Sequence, residues 1–274
     1  MKTRLKWLMV GVGVLGLTAV AMAREGHVGA GKHAWMEARV NAHIDDALEA
    51  IKANPQQRAA VYAARDHLVE AFKAGHGDRV NALREASELF SSDRLDEKRI
   101  AAARARHEAE AQKIGDAVVQ AFYDVHDALT SAQRKSLVEY ARNELPRAGK
   151  GGWQMRLMTA MVDSRIDEAL TELKATPDQR AKIVAAKERV VTAFTAQHEG
   201  RHQKLEQILD LFAADKIDAA KVKELRAEHI TEMRKLGDVV AQAVTELHNT
   251  LDAGQRKQLV ELVKTQAQRH HHGG

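Results

Sequence analysis

The chain repeats itself, and this repeat constrains the fold more than any other feature of the sequence. When the 274-residue chain is shifted by 122 positions, residues 44–144 align with residues 166–266 without a gap, and about 41 of the 101 aligned residues are identical. Between the copies, residues 146–152 have the Pro, Gly and Lys content of a flexible hinge. We therefore expect a tandem duplication, with repeat 1 over residues 38–145 and repeat 2 over residues 153–268.

Within each copy the apolar residues recur at helical spacing. The chain has only three Pro residues and 4% aromatic residues, which leaves too few strand-forming runs for a sizeable sheet. The sequence predicts an all-α fold with four to five helices per repeat. A helix with a single apolar stripe cannot bury it alone, so we expect an elongated assembly in which the copies touch. One such stripe, on a helix of about 30 residues, consists of Val222, Leu225, His229, Leu236, Val240, Leu247 and Leu251.

Four short motifs place a capping residue three positions before a Gln. In this arrangement the cap side chain accepts a hydrogen bond from a free amide of the first turn, and the Gln side chain reaches back to the amide of the cap. Pro at the first helical position strengthens two of the four motifs. The predicted capping residues are Asn54, Gln57, Thr130, Gln133, Thr176, Gln179, Asp252 and Gln255.

Taken together, these motifs carry a family resemblance. The segments 129–135 and 175–183, with the turn sequence of residues 89–96, resemble the paired LTxxQ motifs of the Spy/CpxP family of periplasmic stress proteins. Asn54 and Asp252 replace the Thr of that motif, and Ala53 and Ala175 replace its Leu. These departures keep the cap but weaken the apolar contact that precedes it.

The resemblance implies an ATP-independent chaperone, or holdase, that suppresses aggregation of unfolded envelope proteins under stress. It also implies a cradle-shaped dimer of four-helix protomers, and each repeat here resembles one protomer. The chain is therefore expected to pair its copies as an intramolecular pseudo-dimer or to form a homodimer. Because the family includes metal-responsive members, a periplasmic metal-binding or metal-sensing protein is the alternative function.

The N-terminal sequence predicts export. Basic residues precede an apolar run that ends in small residues, which predicts a signal peptide over residues 1–23 followed by a flexible segment over residues 24–37. A retained membrane anchor is the rival interpretation, but the run is short for a span and no basic stop-transfer cluster follows it. We expect a periplasmic protein without stable membrane insertion after cleavage. Cleavage removes three of the 42 Lys and Arg residues, against 38 Asp and Glu, so no nucleic-acid partner is indicated.

A holdase needs apolar side chains that contact exposed hydrophobic segments of its clients. The amphipathic helices supply them, but a residue on such a stripe is as well suited to the core as to a client. Our candidates are equivalent pairs in the two repeats: Leu68, Phe72, Val118, Phe122, Val190, Phe194, Val240 and Val244.

Histidines provide the candidate metal ligands. Those near the chain ends lie in Gly-flanked segments, where imidazoles can hold zinc, nickel or copper weakly, without any cofactor being required. They are His27, His33, His270, His271 and His272. The absence of Cys excludes a thiolate metal site and a Cys nucleophile.

One segment matches a catalytic pattern. His198, Glu199 and His202 have the HExxH spacing of zinc proteases. Gly200 interrupts the motif, the equivalent segment 76–80 lacks it, and no strands are predicted to build a substrate cleft. We therefore expect that the protein is not an enzyme.

Overall fold

A computed structural model of the protein describes residues 30–144 and 152–272. All regular secondary structure in these ranges is α-helical, which confirms the all-α class. The predicted signal peptide and most of the predicted hinge lie outside the described residues. Among the helices described, none is long and apolar enough to cross a membrane.

The helices follow the repeat. Repeat 1 contains α1 (Ala30–Ala50), α2 (Pro55–Ser91), α3 (Glu97–Ala128) and α4 (Ser131–Glu144). Repeat 2 contains α5 (Gly152–Glu172), α6 (Pro177–Glu199), α7 (Arg201–Ala213), α8 (Ala219–Thr250) and α9 (Ala253–His272). Repeat 2 has one more helix because α6 and α7 are separated at Gly200, where the equivalent residue of the continuous helix α2 is Asp78.

Helices α1 and α5 end in the same way. Lys52 and Lys174 adopt positive φ angles of 53° and 51°, and the next amide in each case donates to a carbonyl five residues back. The amide of Ala53 lies 2.9 Å from the Leu48 carbonyl oxygen, and that of Ala175 lies 3.0 Å from the Leu170 oxygen. This is a Schellman motif, in which a left-handed residue turns the chain out of the helix. Each repeat therefore redirects its chain just before a capping motif.

The described residues form two compact units, and neither unit corresponds to one repeat. The first unit takes residues 30–77 and 108–144 from repeat 1 and residues 203–224 from repeat 2. The second unit takes residues 152–202 and 225–272 from repeat 2 and residues 78–107 from repeat 1. Each repeat thus contributes the turn between its two longest helical arms to the unit built mainly by the other repeat.

The first unit has an extensive apolar core. Leu68 on α2, Phe122 and Val125 on α3 and Val138 on α4 are buried together. The residues donated by repeat 2 complete this core, because the Phe212 ring packs edge-on against Phe122 with the ring centroids 5.6 Å apart. Only 1% of the Phe212 surface is exposed.

The second unit has a smaller core around Leu170, Leu173, Ile183 and Leu251. Its Phe90, the equivalent of Phe212, is only partly buried. The sequence accounts for the difference, since several large core residues of the first unit have smaller or polar equivalents 122 positions away. Phe122 corresponds to Val244, Leu68 to Val190, Ile208 to Ala86 and Leu209 to Ser87.

Candidate functional site

The four Gln motifs form capping boxes in the structure. The Thr130 amide donates to Gln133 Oε1 at 3.0 Å, and the Gln133 amide donates to Thr130 Oγ1 at 3.3 Å. The other three motifs repeat this reciprocal pair of bonds at 2.8 to 3.2 Å. The cap residues Asn54, Thr176 and Asp252 thus directly precede α2, α6 and α9.

The Gln side chains also pair with each other, which the sequence analysis did not foresee. Gln57 Nε2 lies 2.7 Å from Gln133 Oε1, and Gln133 Nε2 lies 2.9 Å from Gln57 Oε1. Gln57 Nε2 lies within 3.0 Å of the Ala128 carbonyl oxygen as well, so the starts of α2 and α4 are tied to the end of α3. Gln179 and Gln255 form the same pair in the second unit, at 2.8 and 3.1 Å. The signal in the sequence was the common separation of 76 residues between the paired Gln residues.

A second arrangement that occurs in both units joins the two repeats. In the first unit, the turn segment 212–215 of repeat 2, here called tip 212–215, occupies a socket made by His126 and Arg134 of repeat 1. The Nε2 N–H of the buried His126 donates to the Ala214 carbonyl oxygen at 3.0 Å, and its ring packs edge-on against Phe212 at 5.9 Å. Arg134 Nη2 lies 3.7 Å from Asp215 Oδ1. We call this the first junction.

The second unit contains the equivalent arrangement with the roles of the repeats exchanged, which we call the second junction. There, tip 90–93 of repeat 1 occupies a socket made by His248 and Arg256 of repeat 2. His248 Nε2 lies 2.9 Å from the Ser92 carbonyl oxygen, and the Phe90 ring lies 5.7 Å from the His248 ring. Arg256 Nη2 lies 3.6 Å from Asp93 Oδ1. The equivalent residues therefore make the same three contacts, always between one repeat and the other.

The first junction has contacts that the second lacks. Ser131 Oγ donates a hydrogen bond to the Asp215 carboxylate, and this bond, with the nearby charge of Lys135, lowers the pKa of the Asp215 carboxyl. Arg142 pairs with Glu206 and Asp210, at 3.0 and 2.6 Å.

At the equivalent positions of the second junction, Ala253 replaces Ser131 and Lys264 replaces Arg142. Ala253 has no hydroxyl, and Lys264 pairs with Glu261 on its own helix at 2.8 Å. The second junction is therefore held by fewer contacts than the first.

The eight candidate client-binding residues differ in exposure. In the first unit Leu68, Phe72 and Phe122 are buried, and Val118 is partly buried. Their equivalents Val190 and Phe194 are partly buried, whereas Val240 and Val244 are 40% and 43% exposed. In this fold the three buried side chains belong to the core. The pair on α8, Val240 and Val244, is exposed.

The structure adds exposed apolar residues that the sequence analysis did not single out. Among the side chains that the structure describes, every large apolar one that is at least 40% exposed lies in the second unit. Met233, Val240 and Val244 share one face of α8, because their separations of seven and four residues return to the same side of a helix. Gly237 lies between them, and a Cβ added there would have no atom within 4 Å. The full set is Leu83, Met161, Val162, Met233, Val240, Val244 and Val263.

The structure describes none of the candidate metal-binding side chains. His27 precedes the described residues, and the side chains of His33 and His270 to His272 are not described. We expected these histidines in flexible segments. Instead, helix α1 already begins at Ala30, and helix α9 continues to His272. Elsewhere in the described part, no group of three or more His, Asp and Glu side chains is arranged to hold a metal ion.

The HExxH segment does not lie on a single helix. His198 and Glu199 end α6, whereas His202 belongs to α7, beyond the break at Gly200. The zinc-protease pattern requires both histidines on one face of one helix. This backbone does not provide that arrangement.

Comparisons with known proteins match both parts of the chain. Residues 161–263 match the family model described as LTXXQ motif family protein, and residues 8–136 match the family model described as Heavy-metal resistance. The chain is a Spy/CpxP-type protein. The two matches together cover more than four fifths of the Spy/CpxP-type chain. No curated protein and no solved structure is significantly similar to it.

Proposed function

We propose that this Spy/CpxP-type protein is a periplasmic holdase that binds unfolded envelope proteins and suppresses their aggregation without ATP. The observation that supports this function is the concentration of exposed large apolar side chains in the second unit. Exposed apolar surface of this kind is typical of sites that bind other proteins. An unfolded client exposes the complementary apolar surface.

The exposed residues suit weak binding at several points. Burial of apolar surface contributes about 25 cal/mol per Å², so burial of the exposed part of one such Val contributes only about 1 kcal/mol. Several such contacts hold a client, and each can be released without the others. The α8 face with Met233, Val240 and Val244 is the main proposed contact. Binding of this strength needs no cofactor and lets a client fold while it is bound.

The same proposal includes the pairing of the repeats. Because each junction joins a tip of one repeat to a socket of the other, a single chain contains both halves of the arrangement that two protomers would form. We propose that the mature chain is its own pseudo-dimer. The linker keeps the halves at an effective concentration of about the millimolar range.

The test is an aggregation assay with a chemically unfolded client. The variant Met233→Ser, Val240→Ser, Val244→Ser removes apolar surface from exposed positions, so it should suppress aggregation several-fold less well with an unchanged Tm. The matched control is Lys235→Ser, Gln242→Ser, Thr245→Ser, which changes three exposed residues of the same helix. Equal suppression by the two variants would contradict the proposed client surface.

The match of residues 8–136 to the Heavy-metal resistance family favours a second candidate, a metal-binding or metal-sensing protein. We propose the terminal histidines as weak ligands for zinc, nickel or copper. The aggregation assay with and without chelator separates the two functions, since holdase activity should ignore the chelator. Weak metal binding by calorimetry that is lost when His27, His33, His270, His271 and His272 are changed to Gln would support the metal function.

A further inference from the structure

The second junction joins tip 90–93 to the His248–Arg256 socket of the same chain. Its three contacts use a Phe ring, a backbone carbonyl and a carboxylate from the tip, and a His and an Arg from the socket. All of these groups are present in every copy of the chain. We propose that tip 90–93 leaves its own socket and occupies the His248–Arg256 socket of a second copy, which produces a dimer with exchanged tips.

Charge and ring packing favour this occupant. Asp93 carries the negative charge that faces Arg256, and Phe90 presents the ring that packs against His248. Tip 212–215 has the same groups in the same order and already fills the equivalent socket. The socket therefore binds a tip of this chain by three contacts that occur in both junctions.

The structure also indicates which tip exchanges. The second junction lacks the hydrogen bond of Ser131 and the ion pairs of Arg142, and Phe90 is less buried than Phe212. The second junction should therefore open before the first.

The experiment mixes the full mature chain with the same chain labelled with heavy nitrogen, at concentrations from micromolar to millimolar. Native mass spectrometry after rapid dilution should show mixed heavy–light dimers whose fraction rises with concentration. Because monomer and exchanged dimer contain the same junctions, a stronger junction slows exchange rather than removing the dimer. Ala253→Ser restores the missing hydroxyl, so it should slow exchange about fivefold, whereas Ser131→Ala should leave the rate unchanged.

A cysteine pair tests where the two chains meet, since the natural chain has no Cys. A chain with Asp93→Cys, mixed with a tagged chain with Ala253→Cys and oxidised, should give a covalent heterodimer. The control replaces the second chain by one with Cys at the exposed position Gln242, and it should give little heterodimer. Absence of mixed dimers at every concentration, equal cross-linking in the control, or faster exchange in Ser131→Ala would each overturn the proposal.

Discussion

The two units are built from equivalent helices, capping motifs and junctions, yet they differ in how much apolar surface they bury. In the first unit Phe122 packs against Phe212, whereas Val244 and the partly buried Phe90 occupy the equivalent positions of the second. The helices, capping motifs and junctions therefore form in both units, although the side chains packed between the helices differ in size. One unit of this chain is therefore well packed, whereas the other leaves large apolar side chains exposed.

The sharpest test of this difference removes one equivalent side chain from each core. Leu68→Ala in the first unit should cost about 3 kcal/mol of unfolding free energy, because Leu68 is fully buried. Val190→Ala in the second unit should cost about 1 kcal/mol, since Val190 is only partly buried and loses fewer atoms. Urea unfolding followed by circular dichroism measures both. Equal costs would show that the second unit is packed as tightly as the first.

The Gln pairs should behave alike in the two units, in contrast to the cores. Gln133→Ala or Gln255→Ala should cost about 2 kcal/mol, because each change breaks a cap bond and leaves the paired Gln without its partner. Thr130→Ala or Thr176→Ala should cost only about 1 kcal/mol through loss of the cap. Thermal unfolding of the four variants checks this order. A large difference between Gln133→Ala and Gln255→Ala would extend the asymmetry to the motifs.

Filling the second unit should reduce the difference between the units. Val244→Phe restores the residue found at the equivalent position of the first unit, so it should stabilise the protein by about 1 kcal/mol. If the exposed α8 face binds clients, the same change should also alter suppression in the aggregation assay. Phe122→Val is the reciprocal control and should destabilise the first unit. A Val244→Phe variant less stable than the natural protein would mean that the second unit has no space for the larger side chain.

The smallest expected effects lie at the helix ends. Lys52 and Lys174 adopt the left-handed conformation that glycine adopts without steric cost. Lys52→Gly and Lys174→Gly should each raise the unfolding free energy by about 0.5 kcal/mol, as measured by chemical denaturation. Lys52→Ala is the control, since Ala keeps the Cβ and should give no gain. A loss of stability in the Gly variants would show that the Lys side chain stabilises the turn.

Local structure was readable from the sequence because its causes are local. The predicted helix around Leu225 and Leu247 is α8, and the cap residues Thr130 and Thr176 directly precede α4 and α6. Hydrophobic spacing and capping act within a few residues, so one repeat suffices to detect them.

The pairing of tips with sockets was not readable, because a repeat makes two pairings equivalent. Ser92 and Ala214 have the same surroundings in sequence, so nothing indicates whether His126 meets one or the other. The unequal exposure of Leu68 and Val190 was hidden for a related reason. Both lie on the same stripe. Leu68 belongs to a core that includes Ile208 and Leu209 from the other repeat, whereas the equivalents of these two residues in the second unit are Ala86 and Ser87.

The pairing of each tip with the socket of the other repeat also dictates the order in which the molecule can form. His126 meets Ala214 across 88 residues of chain, and His248 meets Ser92 across 156. A chain that emerges from its N-terminus therefore cannot finish the first unit until tip 212–215 has appeared, and the second junction must wait for Arg256. Contacts between such distant residues form slowly. Until Arg256 and the rest of the second socket are present, the amphipathic helices of this protein therefore expose apolar side chains that the folded chain buries.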